Sequence, residues 1–186
     1  MNDRRIEKKF LIEKSSQEKY IQIIKSLPIK IKKKYSSRQV NNIYLDTQTN
    51  QSFADHLDGT NKRYKCRIRW YGGFYDFNSP ILEFKIKTNQ VTEKKKFYLF
   101  NDKKKKFDTN KESFLNFLSE QMRKNKIVNF IKNHKVSRII VYKRDYYESL
   151  SKNIRFTVDK DLEYKLWVNN KIKNDSSRNF VHKNFN

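Results

Sequence analysis

Basic side chains alternate with apolar ones along short runs of this chain, and this pattern constrains the fold more than any other feature. The run 65–71 has a base at every second position, namely Lys65, Arg67 and Arg69, and the run 82–87 repeats the alternation. Because successive side chains of a strand point to opposite faces, each run has one charged face and one apolar face. Several such strands predict a sheet that presents cations to a common space.

The charge balance limits the kinds of partner. The 186 residues contain 43 Lys and Arg against 20 Asp and Glu, which gives a formal net charge of +23. A field this positive attracts polyanions such as nucleic acid, polyphosphate, nucleotides or an acidic membrane surface. The lysine clusters at 32–34 and 103–106 are interpreted as solvated loops, because runs of like charge usually face water.

Length, cysteine content and hydropathy set further limits. The single cysteine, Cys66, excludes an internal disulfide framework and a cysteine-ligated zinc site. The sequence has neither 18 consecutive apolar residues nor an apolar leader, so we expect a soluble cytoplasmic protein. The length predicts one domain over residues 1–168, followed by a polar tail over residues 169–186.

The remaining patterns predict an α+β domain. Ser15 with Glu18, and Thr109 with Glu112, match capping boxes that each precede an apolar stripe at helical spacing. The predicted helices are 15–27, 109–122 and 127–131. The predicted strands are 5–12, 38–46, 63–71, 80–87, 94–100, 138–147, 153–159 and 162–168.

Several blocks of the chain, in order, resemble the motifs of the VTC domain, a polyphosphate polymerase module. Residues 65–72 (KCRIRWYG) are similar to the family's K-x-R-x-R-W-Y-G block, and residues 5–10 (RIEKKF) are similar to its R-x-E-x-K-[YF] opening. The other similar blocks are 44–46 (YLD), 57–59 (LDG), 82–85 (LEFK), 141–144 (VYKR) and 154–159 (IRFTVD). The resemblance covers residues 4–167.

This resemblance implies the triphosphate tunnel fold, an antiparallel β-barrel with short flanking helices and an interior lined by Lys, Arg and Glu. It also implies transfer of the γ-phosphoryl group of ATP to inorganic polyphosphate, with Mn²⁺ or Mg²⁺ as the divalent metal. Chemistry of this kind depends on positioning and charge neutralisation, so it needs no Ser-His-Asp constellation.

The resemblance assigns the site residue by residue. The residues that it implies for catalysis are Arg67, Arg69, Lys85, Arg144 and Arg155. Lys9 and Lys94 complete the implied set of phosphate-binding residues, and Lys96 has the same strand parity as Lys94. Glu7 and Glu83 either hold the metal or balance the lysines beside them. The alternative for each basic residue is an ordinary surface cation.

The chain departs from the family pattern near its C-terminus. No Glu follows Glu163, and residues 169–186 contain no E-x-K strand. We therefore expect an incomplete barrel, which would belong to a fragment, to a reduced homologue or to a module that a partner chain completes. We also expect weak polyphosphate synthesis by this chain alone.

Two other functions stay open. One is a triphosphatase, although such enzymes open with E-x-E-x-K where this chain has Arg5. The other is a non-catalytic protein that binds nucleic acid or another polyanion, which predicts exposed arginines and aromatic side chains.

Overall fold

A computed structural model describes residues 8–89, 91–100, 106–124 and 134–175. The elements in chain order are a 3₁₀ turn (Lys14–Ser16), α1 (Gln17–Ser26), β1 (Ile31–Thr47), α2 (Gln51–Leu57), β2 (Lys62–Tyr71), β3 (Ile81–Thr88), β4 (Val91–Tyr98), α3 (Lys111–Lys124), β5 (His134–Ser149), β6 (Arg155–Val168) and β7 (Lys171–Asn174). The predicted α+β class is confirmed. Among the described residues, no helix has the length and apolar composition that crossing a bilayer requires.

The strands form one seven-stranded sheet in the order β4-β3-β2-β1-β5-β6-β7. The pairs β1–β2, β2–β3, β3–β4 and β6–β7 are antiparallel. In the described part of the chain the order is linear, with β4 and β7 at its ends. A barrel requires the two end strands to pair. The predicted antiparallel sheet is therefore confirmed, whereas its closure into a barrel is not observed.

The chain divides into two compact units. The smaller unit comprises Met1–Ser36 and Asp145–Val158, and the larger comprises Ser37–Arg144 and Asp159–Asn186. The larger unit contains β2, β3, β4, β7, α2 and α3, and the smaller unit contains α1. Strands β1, β5 and β6 contribute residues to both units.

The core of the larger unit lies on the apolar face of its strands. Ile68 and Trp70 of β2 and Leu82 of β3 are fully buried, and Phe114 and Leu118 of α3 belong to the same cluster. Burial of alternate residues is what a strand with one apolar face requires. The split that the sequence predicts for β2 and β3 is therefore confirmed.

The first helix lacks its predicted cap. Helix α1 begins at Gln17, and Ser15 lies in the preceding 3₁₀ turn. The N-cap is Ser16, whose side chain makes no capping hydrogen bond within the described chain. The predicted box of Ser15 and Glu18 is therefore wrong, because the helix starts one residue too late for Ser15 to reach its free N–H groups.

The cap of α3 is displaced by one residue. The Oδ1 atom of Asn110 accepts a hydrogen bond from the backbone N–H of Ser113 at 3.0 Å. Such a bond joins the N-cap to the third helical residue, so Asn110, and not Thr109, is the capping residue. The predicted helix at 127–131 lies outside the described residues.

Strand β1 begins at Ile31, seven residues earlier than predicted, and three further differences concern which strands are present. Residues 8–12 are not in a strand, and the rest of the predicted opening strand lies outside the described residues. The predicted strands 153–159 and 162–168 are one strand, β6. It continues through Asp161, whose φ of 52° lies in the left-handed region that Asp tolerates.

The third difference is β7, which lies in the predicted polar tail. Val168 pairs with Lys171 across a two-residue turn, and both turn residues have positive φ, 47° at Asn169 and 59° at Asn170. A type I′ hairpin turn requires this conformation, and Asn adopts it at low cost. The Asn-Asn pair was the hairpin signal that our strand prediction missed.

Candidate functional site

Opposite the core of the larger unit, strands β1–β4 present polar and charged side chains. The register aligns Tyr44 with Arg67 and Arg67 with Glu83, and these residues share one side of the sheet. The same register places further bases on this side. We call this surface the cation face and define it by Lys65, Arg67, Arg69, Glu83, Lys85, Lys94 and Lys96.

Arg67 and Arg69 converge on one carboxylate. The Nε and Nη2 atoms of Arg67 both lie 2.7 Å from Oε2 of Glu83, and Nη1 of Arg69 lies 3.6 Å from the same oxygen. Arg69 also donates from Nε to Oδ1 of Asn42 at 3.2 Å, and Arg67 donates from Nη1 to the Tyr44 hydroxyl at 3.4 Å. The two guanidinium groups are thus oriented by side chains that leave one positive charge unbalanced.

Both arginine side chains are largely buried, with exposed fractions of 29% for Arg67 and 12% for Arg69. Burial acts to lower the pKa of Arg67, but interactions with Tyr44 and Glu83 outweigh it and raise the pKa overall. The guanidinium therefore stays charged, as an anion-binding group must.

The lysines of the cation face lie directly opposite one another. Lys65 of β2 pairs with Lys85 of β3, and Lys85 pairs with Lys94 of β4. All three side chains are exposed. Like charges opposite each other on adjacent strands repel, so this row concentrates positive charge at one part of the cation face. Lys96, the alternative to Lys94, is the register partner of Glu83.

Arg144 lies in the same unit and forms a two-point ion pair with Asp159, with Nη2 2.6 Å from Oδ2. Its guanidinium carbon is 5.1 Å from the ring centroid of Tyr142. Burial raises the pKa of Tyr142, and the charges of Arg144 and Arg67 act in the opposite direction. Both arginines are therefore within electrostatic reach of the Tyr142 hydroxyl.

Arg155 belongs to the smaller unit, where it contacts a buried carboxylate. Its Nε donates to Oε1 of Glu148 at 2.7 Å, and Nζ of Lys34 donates to the same oxygen at 2.7 Å. The Lys34 hydrogen bond lowers the pKa of Glu148, and Arg155 adds to this effect, whereas burial opposes it. Arg155 is half exposed, so part of its guanidinium faces solvent.

The interpretation of lysines 32–34 as a solvated loop is wrong. They lie in β1, where Lys33 pairs with the buried Asp145 at 3.0 Å, while Lys34 contacts Glu148. A buried carboxylate requires a cation or several donors, and these acids come from a strand far along the chain. In the other cluster, residues 103–105 lie outside the described residues.

The lowered pKa of Glu148 predicts an acid-dependent loss of stability. Its ionised form stabilises the fold above the ordinary pKa of about 4.5, and this contribution is lost as pH falls through the lower folded value. We expect Glu148→Gln to reduce the free energy of unfolding at pH 7, with the difference from the unmodified chain shrinking below pH 4.5. Urea unfolding from pH 7 to pH 2 measures this, with the exposed Glu13→Gln as control. Parallel curves for Glu148→Gln and the unmodified chain would contradict the assignment.

The other predicted site residues are more dispersed. Lys9 is exposed and precedes the first turn, and Glu7 lies outside the described residues. The interior that a closed barrel would give the cation face is not observed in the described part of the chain. Two small cavities, of about 80 and 50 Å³, are instead lined by residues that include Ser137, Arg138 and Leu166. An open sheet does not enclose a face as a closed barrel does, and the strand order of the described residues is open.

The described residues do not by themselves form a metal site. Among them no group of three or more His, Cys, Asp and Glu side chains is arranged to hold an ion. Glu83 is the carboxylate of the cation face, and Arg67 already occupies its Oε2 atom. Mn²⁺ and Mg²⁺ require several oxygen ligands, which substrate phosphates can supply in part. The divalent metal stays a prediction that would involve Glu7 and Glu83.

Sequence reasoning missed the side chains that orient the arginines. Asn42 and Tyr44 of β1 have the parity that faces Arg69 and Arg67, and Tyr44 begins the YLD block that ends at Asp46. Asp46 itself is structural, because its carboxylate accepts backbone hydrogen bonds from the first residues of α2. The alternation in β1 was the available signal, but its register against β2 was not visible in the sequence.

Comparison with known proteins adds one match. A family model described as VTC domain matches residues 4–185 of the chain. A search of curated proteins finds no match. The family match includes all the described residues and agrees with the motif resemblance.

Proposed function

The chain belongs to the VTC domain family, and from this membership and the cation face we propose that it binds ATP and inorganic polyphosphate and transfers the γ-phosphoryl group between them. The observation that carries the proposal is the pair Arg67 and Arg69 held on one carboxylate, Glu83. Guanidinium forks held in place are suited to phosphate oxygens, because each can donate two parallel hydrogen bonds.

The spacing of the bases suits a linear polyanion. Adjacent strands lie about 4.8 Å apart, and the row Lys65, Lys85 and Lys94 places one cation on each of three adjacent strands. A phosphate chain that crosses β2, β3 and β4 would therefore meet a new cation at each strand. Six of the seven residues that define the cation face are bases and one is an acid, so these residues together carry a net positive charge.

In the proposed reaction, a terminal polyphosphate oxygen forms a bond to the γ-phosphorus of ATP. The bond from that phosphorus to the oxygen bridging to the β-phosphorus breaks, and ADP leaves. Arg67 and Arg69 would neutralise charge on the transferred group, and Glu83 would keep their guanidinium planes oriented. Arg144, which lies in the same unit as the cation face, is proposed to contact a further phosphate, and phosphate binding by Arg155 stays a prediction.

Product analysis distinguishes this reaction from the alternatives. The chain is incubated with ATP, polyphosphate primer and Mn²⁺ or Mg²⁺, and polyphosphate length, ADP and free phosphate are measured. Lengthened polyphosphate with an equal amount of ADP supports the proposed transfer, even if formation is slow. Free phosphate without lengthening would indicate a triphosphatase, and binding without either product would indicate a non-catalytic polyanion-binding protein.

Strand β4 offers a matched test of the face. Lys94 and Lys96 lie on the cation face, whereas Lys95 is the register partner of the buried Phe84 and has the opposite parity. We expect Lys94→Ala and Lys96→Ala each to weaken tripolyphosphate binding about two- to fivefold, because one exposed charge pair contributes up to about 1 kcal/mol. Calorimetric titration at fixed ionic strength should show little change for Lys95→Ala. Equal losses in all three variants would mean that net charge alone governs binding.

A further inference from the structure

Helix α1 of the smaller unit has an exposed apolar stripe. Tyr20 and Ile23 are each 46% exposed, and Leu27, directly after the helix, is 41% exposed. Their spacing of three and four residues places them on one face of the helix. No residue of α1, Gln17–Ser26, is buried. Phe10 and Leu11, which precede the helix, are 80% and 88% exposed.

The same segment is strongly basic. Residues 8–34 contain nine lysines and two glutamates. Lys19, Lys25 and Lys30 are exposed within or beside α1. The segment therefore combines exposed apolar side chains with a local excess of positive charge, and the cation face of the larger unit contains none of these residues.

We propose that this basic apolar surface, defined by Tyr20, Ile23, Leu27, Lys19 and Lys30, docks on an anionic lipid bilayer. A helix with apolar side chains flanked by lysines lies in the membrane interface, with the apolar groups among the acyl chains and the ammonium groups at acidic headgroups. The apolar stripe and the excess of lysines together favour an anionic bilayer as the binding partner.

Other binding partners match either the charge or the apolar side chains of this surface, but not both. RNA or free polyphosphate would pair with the lysines but would leave the apolar stripe in water. A second copy of the chain would cover the stripe but would bring lysines against lysines, which disfavours association. An acidic bilayer surface satisfies both the charge and the apolar side chains.

Vesicle co-sedimentation tests the proposal. The full chain is mixed with vesicles of phosphatidylcholine alone or with about one third phosphatidylserine. We expect binding to the anionic vesicles only, and at least a tenfold loss of affinity in Ile23→Glu/Leu27→Glu. The control is Leu57→Glu/Leu162→Glu, which makes the same charge change at exposed positions of the larger unit. Circular dichroism checks that each variant is folded.

Four results would overturn the proposal. The first is no binding to anionic vesicles, and the second is an equal loss of affinity in the two double variants. The third is a dimer of the unmodified chain, seen by light scattering, that does not bind vesicles and that Ile23→Glu/Leu27→Glu dissociates. The fourth is competition by RNA that removes the chain from the vesicles to the same extent whether or not Ile23 and Leu27 are substituted. Tripolyphosphate affinity should be unchanged in Ile23→Glu/Leu27→Glu, which keeps this test independent of the proposed function.

Discussion

The double substitution Arg67→Ala/Arg69→Ala is expected to lower the affinity for polyphosphate by about a hundredfold or more. Each guanidinium can donate charge-assisted hydrogen bonds to phosphate, worth about 1.5–3 kcal/mol each, and 1.4 kcal/mol corresponds to a tenfold change in affinity. The substitution also leaves Glu83 without its two cations, so that its charge repels the ligand. Calorimetric titration with polyphosphate of defined length measures the loss.

A matched control separates this effect from net charge. Arg123→Ala/Lys124→Ala removes the same two charges from the exposed end of α3. We expect it to change polyphosphate affinity by less than about threefold, as exposed charges away from a ligand contribute little. If the two double variants lost affinity equally, the site would not lie at Arg67 and Arg69.

The largest effect on stability is expected at Trp70. Its side chain is fully buried, its ring lies 5.4 Å from that of Phe107 in a stacked arrangement, and its Nε1 donates to the backbone oxygen of Phe74 at 3.1 Å. Trp70→Ala should lower the free energy of unfolding by about 3–5 kcal/mol, because removal of a large buried ring leaves a cavity. Urea unfolding followed by circular dichroism gives the value.

Trp70→Phe provides the comparison. It retains a ring but removes the indole N–H, which leaves the Phe74 oxygen without this donor, so we expect a loss of about 1–3 kcal/mol. A loss below about 1 kcal/mol in Trp70→Ala would show that the aromatic cluster is not the core of the larger unit.

The strands of the larger unit could be predicted because their alternation is strict. In β2 the apolar Cys66, Ile68 and Trp70 are buried, while Arg67 and Arg69 face the other side. Two-residue periodicity is a local property that depends only on strand geometry. The shared face of Arg67, Arg69, Lys85 and Lys94 follows from that periodicity once the strands are adjacent.

Longer-range features could not be predicted in this way. The pairing of Arg67 with Glu83 depends on the register of β2 against β3, and the pairing of Lys34 with Glu148 joins residues 114 positions apart. Neither follows from local periodicity. The interpretation of lysines 32–34 as a solvated loop was wrong for the same reason, because the carboxylates that Lys33 and Lys34 contact lie on β5, far along the chain.

The most direct test of the proposed site is a crystal structure of the chain with tripolyphosphate. We expect phosphate oxygens about 3 Å from the guanidinium nitrogens of Arg67 and Arg69, with the rest of the anion over Lys85 and Lys94. A tripolyphosphate bound only at the lysines around α1, with Arg67 and Arg69 still contacting Glu83 alone, would contradict it.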